Sequence, residues 1–129
     1  MKKNFLTTAA LLGALSVALG AFAAHGLKKL LSPDQVQVFE TGVRYQFYHV
    51  FALLAAGILY KDFPSNAMVW AGRMFIGGIV LFSGSLYLMS YCQYQGINAR
   101  WAGPVTPIGG VLFIAGWILL FVAIVKKRQ

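Results

Sequence analysis

The sequence predicts an all-α membrane protein: a four-transmembrane-helix bundle with a short interfacial amphipathic helix before the second span. Three observations predict it. Hydrophobic residues make up 59% of the 129 residues and charged residues only 11%, where soluble domains carry about 25% charged residues. The apolar residues fall in runs close to the length of about 20 residues that crosses a hydrocarbon core. The cations gather at the ends of those runs, at Lys2, Lys3, Lys61, Arg73, Arg100, Lys126, Lys127 and Arg128, where they meet water or headgroups. The whole chain, 1–129, reads as one integral membrane domain.

The first span covers residues 5–24. Lys2-Lys3, an apolar run and Ala21-Phe22-Ala23 also imitate a secretory signal with its cleavage site. The small residues Ala9, Gly13, Ser16, Gly20 and Ala24 favour a retained helix, because small-xxx-small spacing lets backbones approach in lipid.

Ser32-Pro33-Asp34-Gln35 reads as a helix start, with Ser32 as N-cap, Pro33 at the first helical position and Gln35 closing a capping box. Val36, Phe39, Val43 and Phe47 then recur at helical spacing as an amphipathic stripe. This is the interfacial helix, which either bends near Gly42 or runs on into the second span, residues 45–60.

The third span covers residues 74–91 and the fourth 104–125. Pro104 and Pro107 sit near the start of the fourth, where missing N–H donors do least harm. Gly77-Gly78 and Gly109-Gly110 offer close helix contacts within one bundle or in a dimer. Tyr45, Tyr48, Tyr87, Tyr91, Tyr94 and Trp101 form an outer aromatic belt, with Tyr60 and Trp70 on the inner side. With four spans the termini share one side, which holds seven Lys and Arg against four on the other (Lys28, Lys29, Arg44 and Arg100). Both termini are therefore expected in the cytoplasm, in a multi-pass protein of a bacterial inner (plasma) membrane.

The net charge of +8 raises nucleic-acid binding, but no basic helix face or recognition motif accompanies it. The single cysteine, Cys92, reads as a small packing residue. No cofactor and no metal are expected, since His25 and His49 on separate helices are not a metal or haem signature. Ser83 and Ser85 lack the turn context of a nucleophile and read as helix-to-helix hydrogen-bonding groups. The acids, Asp34, Glu40 and Asp62, all lie outside the apolar cores, which speaks against an exporter driven by a buried carboxylate.

One polar cluster runs into the second span. Its candidate residues are His25, Glu40, Arg44, Tyr45, Gln46 and His49. Glu40 and Arg44 are spaced for an i, i+4 ion pair, and His49 lies about one turn inside the expected boundary. The structural reading has Arg44 anchoring in headgroups while Gln46 and His49 bridge helices. The functional reading is a polar pocket at the outer end of the bundle, binding or transporting a small polar or anionic ligand through the donor fork of Arg44.

At these residues the sequence resembles the transmembrane-protein-256-like family, small integral membrane proteins of unknown function. The blocks that carry the resemblance are Gly20-Ala21-Phe22-Ala23-Ala24-His25-Gly26-Leu27 and Phe39-Glu40-Thr41-Gly42-Val43-Arg44-Tyr45-Gln46-Phe47-Tyr48-His49, with Phe82-Ser83-Gly84-Ser85-Leu86-Tyr87 and Thr106-Pro107-Ile108-Gly109-Gly110. Ala23 stands where glycine is more usual and Gly42 where alanine is. The resemblance implies a multi-helix membrane protein with a retained first span, and it supplies no reaction or site residues. The expected function is a non-enzymatic structural, accessory or assembly role, with membrane lipids and a second copy or another membrane protein as partners.

Overall fold

In the computed structural model, which describes residues 1–127, the chain forms four helical rods. The first is α1, Lys3–His25; the second is α2, Pro33–Leu59. The third rod is composite. Its α3, Asn66–Gly78, passes through a π-helical stretch, Ile79–Ser83, into α4, Gly84–Gln95. The fourth is α5, Val105–Val125. Arg128 lies outside the described residues.

The expected four spans with a separate interfacial helix are not what forms. Among the described residues, three segments are long and apolar enough to cross a membrane: Lys3–Lys29, Asn66–Gln95 and Arg100–Val125. Of the two courses left open for the interfacial stretch, it runs on: with the residues of the expected second span it forms one unbroken 27-residue helix, α2. Its start is fixed by the capping box, with Ser32 Oγ accepting from the Gln35 N–H and Gln35 Oε1 accepting from the Ser32 N–H. No break occurs at Gly42, which sits buried inside the helix. The physical reason for the miscount is the polar load of α2. Glu40, Arg44, Gln46 and His49 dilute its apolar run; Gln46 and His49 are buried among neighbouring helices, while Glu40 and Arg44 stay exposed.

Eleven residues of α2 are buried, against four in α1 and five in α5. Lining up beside it, α1 presents Ala9 and Ser16 as buried contacts, while Gly13 and Gly20 face Val50 and Val43. The other side of α2 meets the third rod, which pairs in turn with α5. At Gly109 the two backbones approach so closely that an added Cβ would stand 2.7 Å from Phe82 Cα. The close glycine contacts foreseen in α5 thus operate within one bundle. Gly96, at φ +71°, ends α4 in the left-handed conformation that favours glycine.

Two apolar clusters fill the ends. Phe5, Leu53, Ala56, Met68, Phe75 and Leu120 belong to one; Ala23, Leu27, Val36, Phe39 and Val43 form the other. Both described termini lie at the Phe5 end. The Lys2 N–H donates to the Gly57 carbonyl, and the Lys127 ammonium sits 4.9 Å from the Phe63 ring centroid.

Candidate functional site

The buried polar side chains gather in a belt between the two apolar clusters. Gln46, 1% exposed, projects from α2. Its Nε2 donates to the Leu12 carbonyl of α1 at 3.2 Å. Its Oε1 accepts from the Tyr87 hydroxyl of α4 at 2.6 Å. One amide therefore ties three helices. The Leu12 carbonyl also accepts from Ser16 Oγ, at 2.7 Å.

His49, 4% exposed, ties α2 to α5. Its Nδ1 is 2.7 Å from the Tyr45 carbonyl, and the Trp117 indole N–H donates to its Nε2 at 3.1 Å. A carbonyl only accepts and an indole N–H only donates. The two partners therefore select the neutral tautomer with the hydrogen on Nδ1. The ring stacks on Phe113 with centroids 3.5 Å apart and planes 9° from parallel. Both nitrogens are committed, which leaves no lone pair for a metal.

The π-helical stretch supplies the third tie. Its last residue, Ser83, donates to the Gly42 carbonyl of α2 at 2.6 Å. Gly42 packs against Tyr87, since a Cβ there would lie 2.8 Å from the Tyr87 ring. Ser85 and Thr106 share a further hydrogen bond between the third rod and α5. Among the described residues, no buried side-chain nitrogen or oxygen lacks a partner.

The six candidate residues do not converge. His25 and Glu40 line a cavity of about 680 Å³ at the α1–α2 corner. Tyr45 and His49 line a separate cleft of about 630 Å³ between α2 and α5, with Phe82, Phe113 and Trp117. Gln46 is interior, and Arg44 is exposed and lines neither cavity. His49 is nine residues beyond Glu40 on α2, about 14 Å along the helix axis. The depth also differs from expectation. Because α2 starts at Pro33, Gln46 lies 13 residues into it, about 20 Å from its start, and its bond to Leu12 sets it near the middle of α1.

Sequence reasoning weighed Ser83 and Ser85 as hydrogen-bonding across helices, and both do: Ser83 donates to Gly42, while Ser85 donates to the Phe82 carbonyl of its own rod and pairs with the Thr106 hydroxyl of α5. It assigned Tyr87 to the aromatic belt, whereas its hydroxyl points inward to Gln46. It passed over Trp117. The available signal was an indole N–H in the middle of an apolar span, a donor that needs a buried acceptor.

A family model described as a protein of unknown function (DUF423) matches residues 19–110. Similar relatives include the UPF0382 membrane protein SH2409 of Staphylococcus haemolyticus, 42% identical over 96% of this chain and 97% of its own length. The UPF0382 membrane protein YwdK of Bacillus subtilis is 41% identical over 96% of this chain and 98% of its own. For the UPF0382 inner membrane protein YgdD of Escherichia coli the identity is 37%, over 96% and 91%. No solved structure matches the chain. With three membrane-length apolar segments and relatives matched almost end to end, the chain belongs to the DUF423 family of UPF0382 membrane proteins, integral membrane proteins of unknown biochemical function.

Proposed function

We propose that the protein is a non-enzymatic membrane component with a structural, accessory or assembly role, and that its buried polar belt is the clamp that holds it in one shape. One observation carries this reading. The two most deeply buried candidate groups, Gln46 and His49, spend their hydrogen bonds on Leu12, Tyr87, Tyr45 and Trp117. In lipid, apolar side chains gain little by associating with one another, so interhelical hydrogen bonds and close packing carry the assembly.

The same reading puts the protein in a bacterial inner (plasma) membrane, with both termini cytoplasmic. The Escherichia coli relative's description as an inner membrane protein supports the location. Lys2, Lys3, Lys61, Lys126 and Lys127 near the termini support the orientation. The motif blocks from Gly20 and Phe39 onward support a narrower kinship with the transmembrane-protein-256-like proteins. Membrane lipids, a second copy or another membrane protein are the partners that such a role needs.

The test is the thermal unfolding of purified protein in detergent. Gln46→Leu and His49→Ala are each expected to lower the midpoint and to reduce the level of protein in the membrane. Wild-type midpoints in both variants would remove the basis of the clamp.

A further inference from the structure

The cavity at the α1–α2 corner is not used by the belt. His25, Lys28, Lys29 and Glu40 line it together with the apolar Leu31 and Val36. Its volume of about 680 Å³ falls within the range of roughly 300–1,000 Å³ usual for small-molecule sites.

The local sequence fixes the two lysines in place. Directly after α1, Leu27–Lys29 form a single 3-10 turn. Leu27 is buried in the cluster of Ala23, Val36, Phe39 and Val43, and its carbonyl accepts from the N–H groups of Leu30 and Leu31. The turn is thus pinned from below, and the next residue but two is the N-cap Ser32. Lys28 and Lys29 are presented by a short, anchored turn rather than by a long loop.

Position identifies the class of occupant. The apolar segment that includes α1 runs Lys3–Lys29, so the cavity sits at the end of a membrane-length segment, at the depth of lipid headgroups. Its apolar wall suits the first methylenes of a lipid's acyl chains, and its charges are of both signs. Two ammonium groups suit a phosphate. The Glu40 carboxylate opposes a purely anionic headgroup and favours one that also carries a cation.

We propose that this corner binds a phospholipid headgroup bearing a primary amine, with the phosphodiester on Lys28 and Lys29 and the ammonium on Glu40. The amine's N–H groups give Glu40 hydrogen bonds that a quaternary ammonium lacks. None of these residues belongs to the belt, so this inference and the clamp stand or fall separately.

The full chain, purified in detergent, is titrated with phosphatidylethanolamine, phosphatidylglycerol and phosphatidylcholine, and bound lipid is counted by native mass spectrometry. Wild-type protein is expected to bind phosphatidylethanolamine most tightly. Replacing both lysines, Lys28→Ala with Lys29→Ala, lowers binding of all three lipids by roughly tenfold, the scale of one lost charge-assisted hydrogen bond. Glu40→Gln removes the preference for the amine headgroup and leaves phosphatidylglycerol binding at least as tight. Lys28, Lys29 and Glu40 are exposed, and unchanged circular dichroism shows that the variants fold. Wild-type phosphatidylethanolamine binding by the double lysine variant would overturn the proposal. So would a phosphatidylglycerol preference that Glu40→Gln does not alter, which is charge attraction alone. Displacement of the lipid by millimolar inorganic phosphate would assign the corner to a free anion instead.

Discussion

The helices α2 and α5 are built on opposite rules. Along α5 the sequence is apolar on every face, yet only Gly109, Phe113, Gly116, Leu120 and Ala123 are buried. Ile114, Ile118 and Phe121 are 57–65% exposed. By contrast α2 carries the chain's densest polar run and buries eleven residues. In water this would be inverted. Where lipid is the solvent, an apolar helix has no reason to hide, and a helix with Gln46 and His49 is better off among partners. The polar helix is therefore the organiser of the bundle, and α5 meets it through Phe113 and Trp117.

The largest effect is expected at His49. Replacing it by Ala removes the ring stacked on Phe113 and the acceptor of the Trp117 N–H. A loss of about 3 kcal/mol, the scale of aromatic truncations in a core, should appear in denaturant-induced unfolding in mixed micelles. Next comes the contact between α5 and the π-helical stretch. Gly109→Ala sets a methyl against the Phe82 backbone, and a loss of about 2 kcal/mol is expected from overpacking, read by the same titration.

Gln46→Leu keeps the volume but strips the Tyr87 hydroxyl of its acceptor. The expected loss is about 1 kcal/mol, within the range of interhelical hydrogen bonds in lipid. The smallest effects are at exposed positions on both helices. Phe121→Ala on α5 and Arg44→Ala on α2 should each stay within about 0.5 kcal/mol of wild type. A larger loss at Phe121 than at His49 would reverse the contrast between the two helices.

Much of the fold was legible. The start of α2 was written in Ser32, Pro33 and Gln35, and the stripe Val36, Phe39 and Val43 is the buried face that it foretold. Apolar run length located α1 and α5 to within a few residues of their ends. Run length failed at α2, because it measures compatibility with lipid, and a central helix answers to its neighbours instead. At Gly42 the sequence left a bend and a continuous helix both open, and the helix is continuous. Gly42 is a contact surface for Tyr87 and an acceptor for Ser83, and both partners lie some forty residues away.

The candidate cluster was half legible. Gln46 and His49 were singled out from the sequence and lie buried, but their depth depended on where α2 begins. His25 and Glu40 share one cavity, while His49 faces another. Sequence spacing placed all of them at the same end of the bundle, and only the full length of α2 separates them. The π-helical stretch had no sequence signal, and its last residue is the Ser83 that bonds Gly42.

The central claim is that buried polar groups on α2 hold the helices together. The most direct measurement is a double-mutant cycle between Gln46→Leu and Tyr87→Phe, followed by reversible unfolding in mixed micelles. The account predicts a coupling of about 1 kcal/mol, with the double variant losing less than the sum of the single losses. Strict additivity, with no coupling between the two positions, would contradict it.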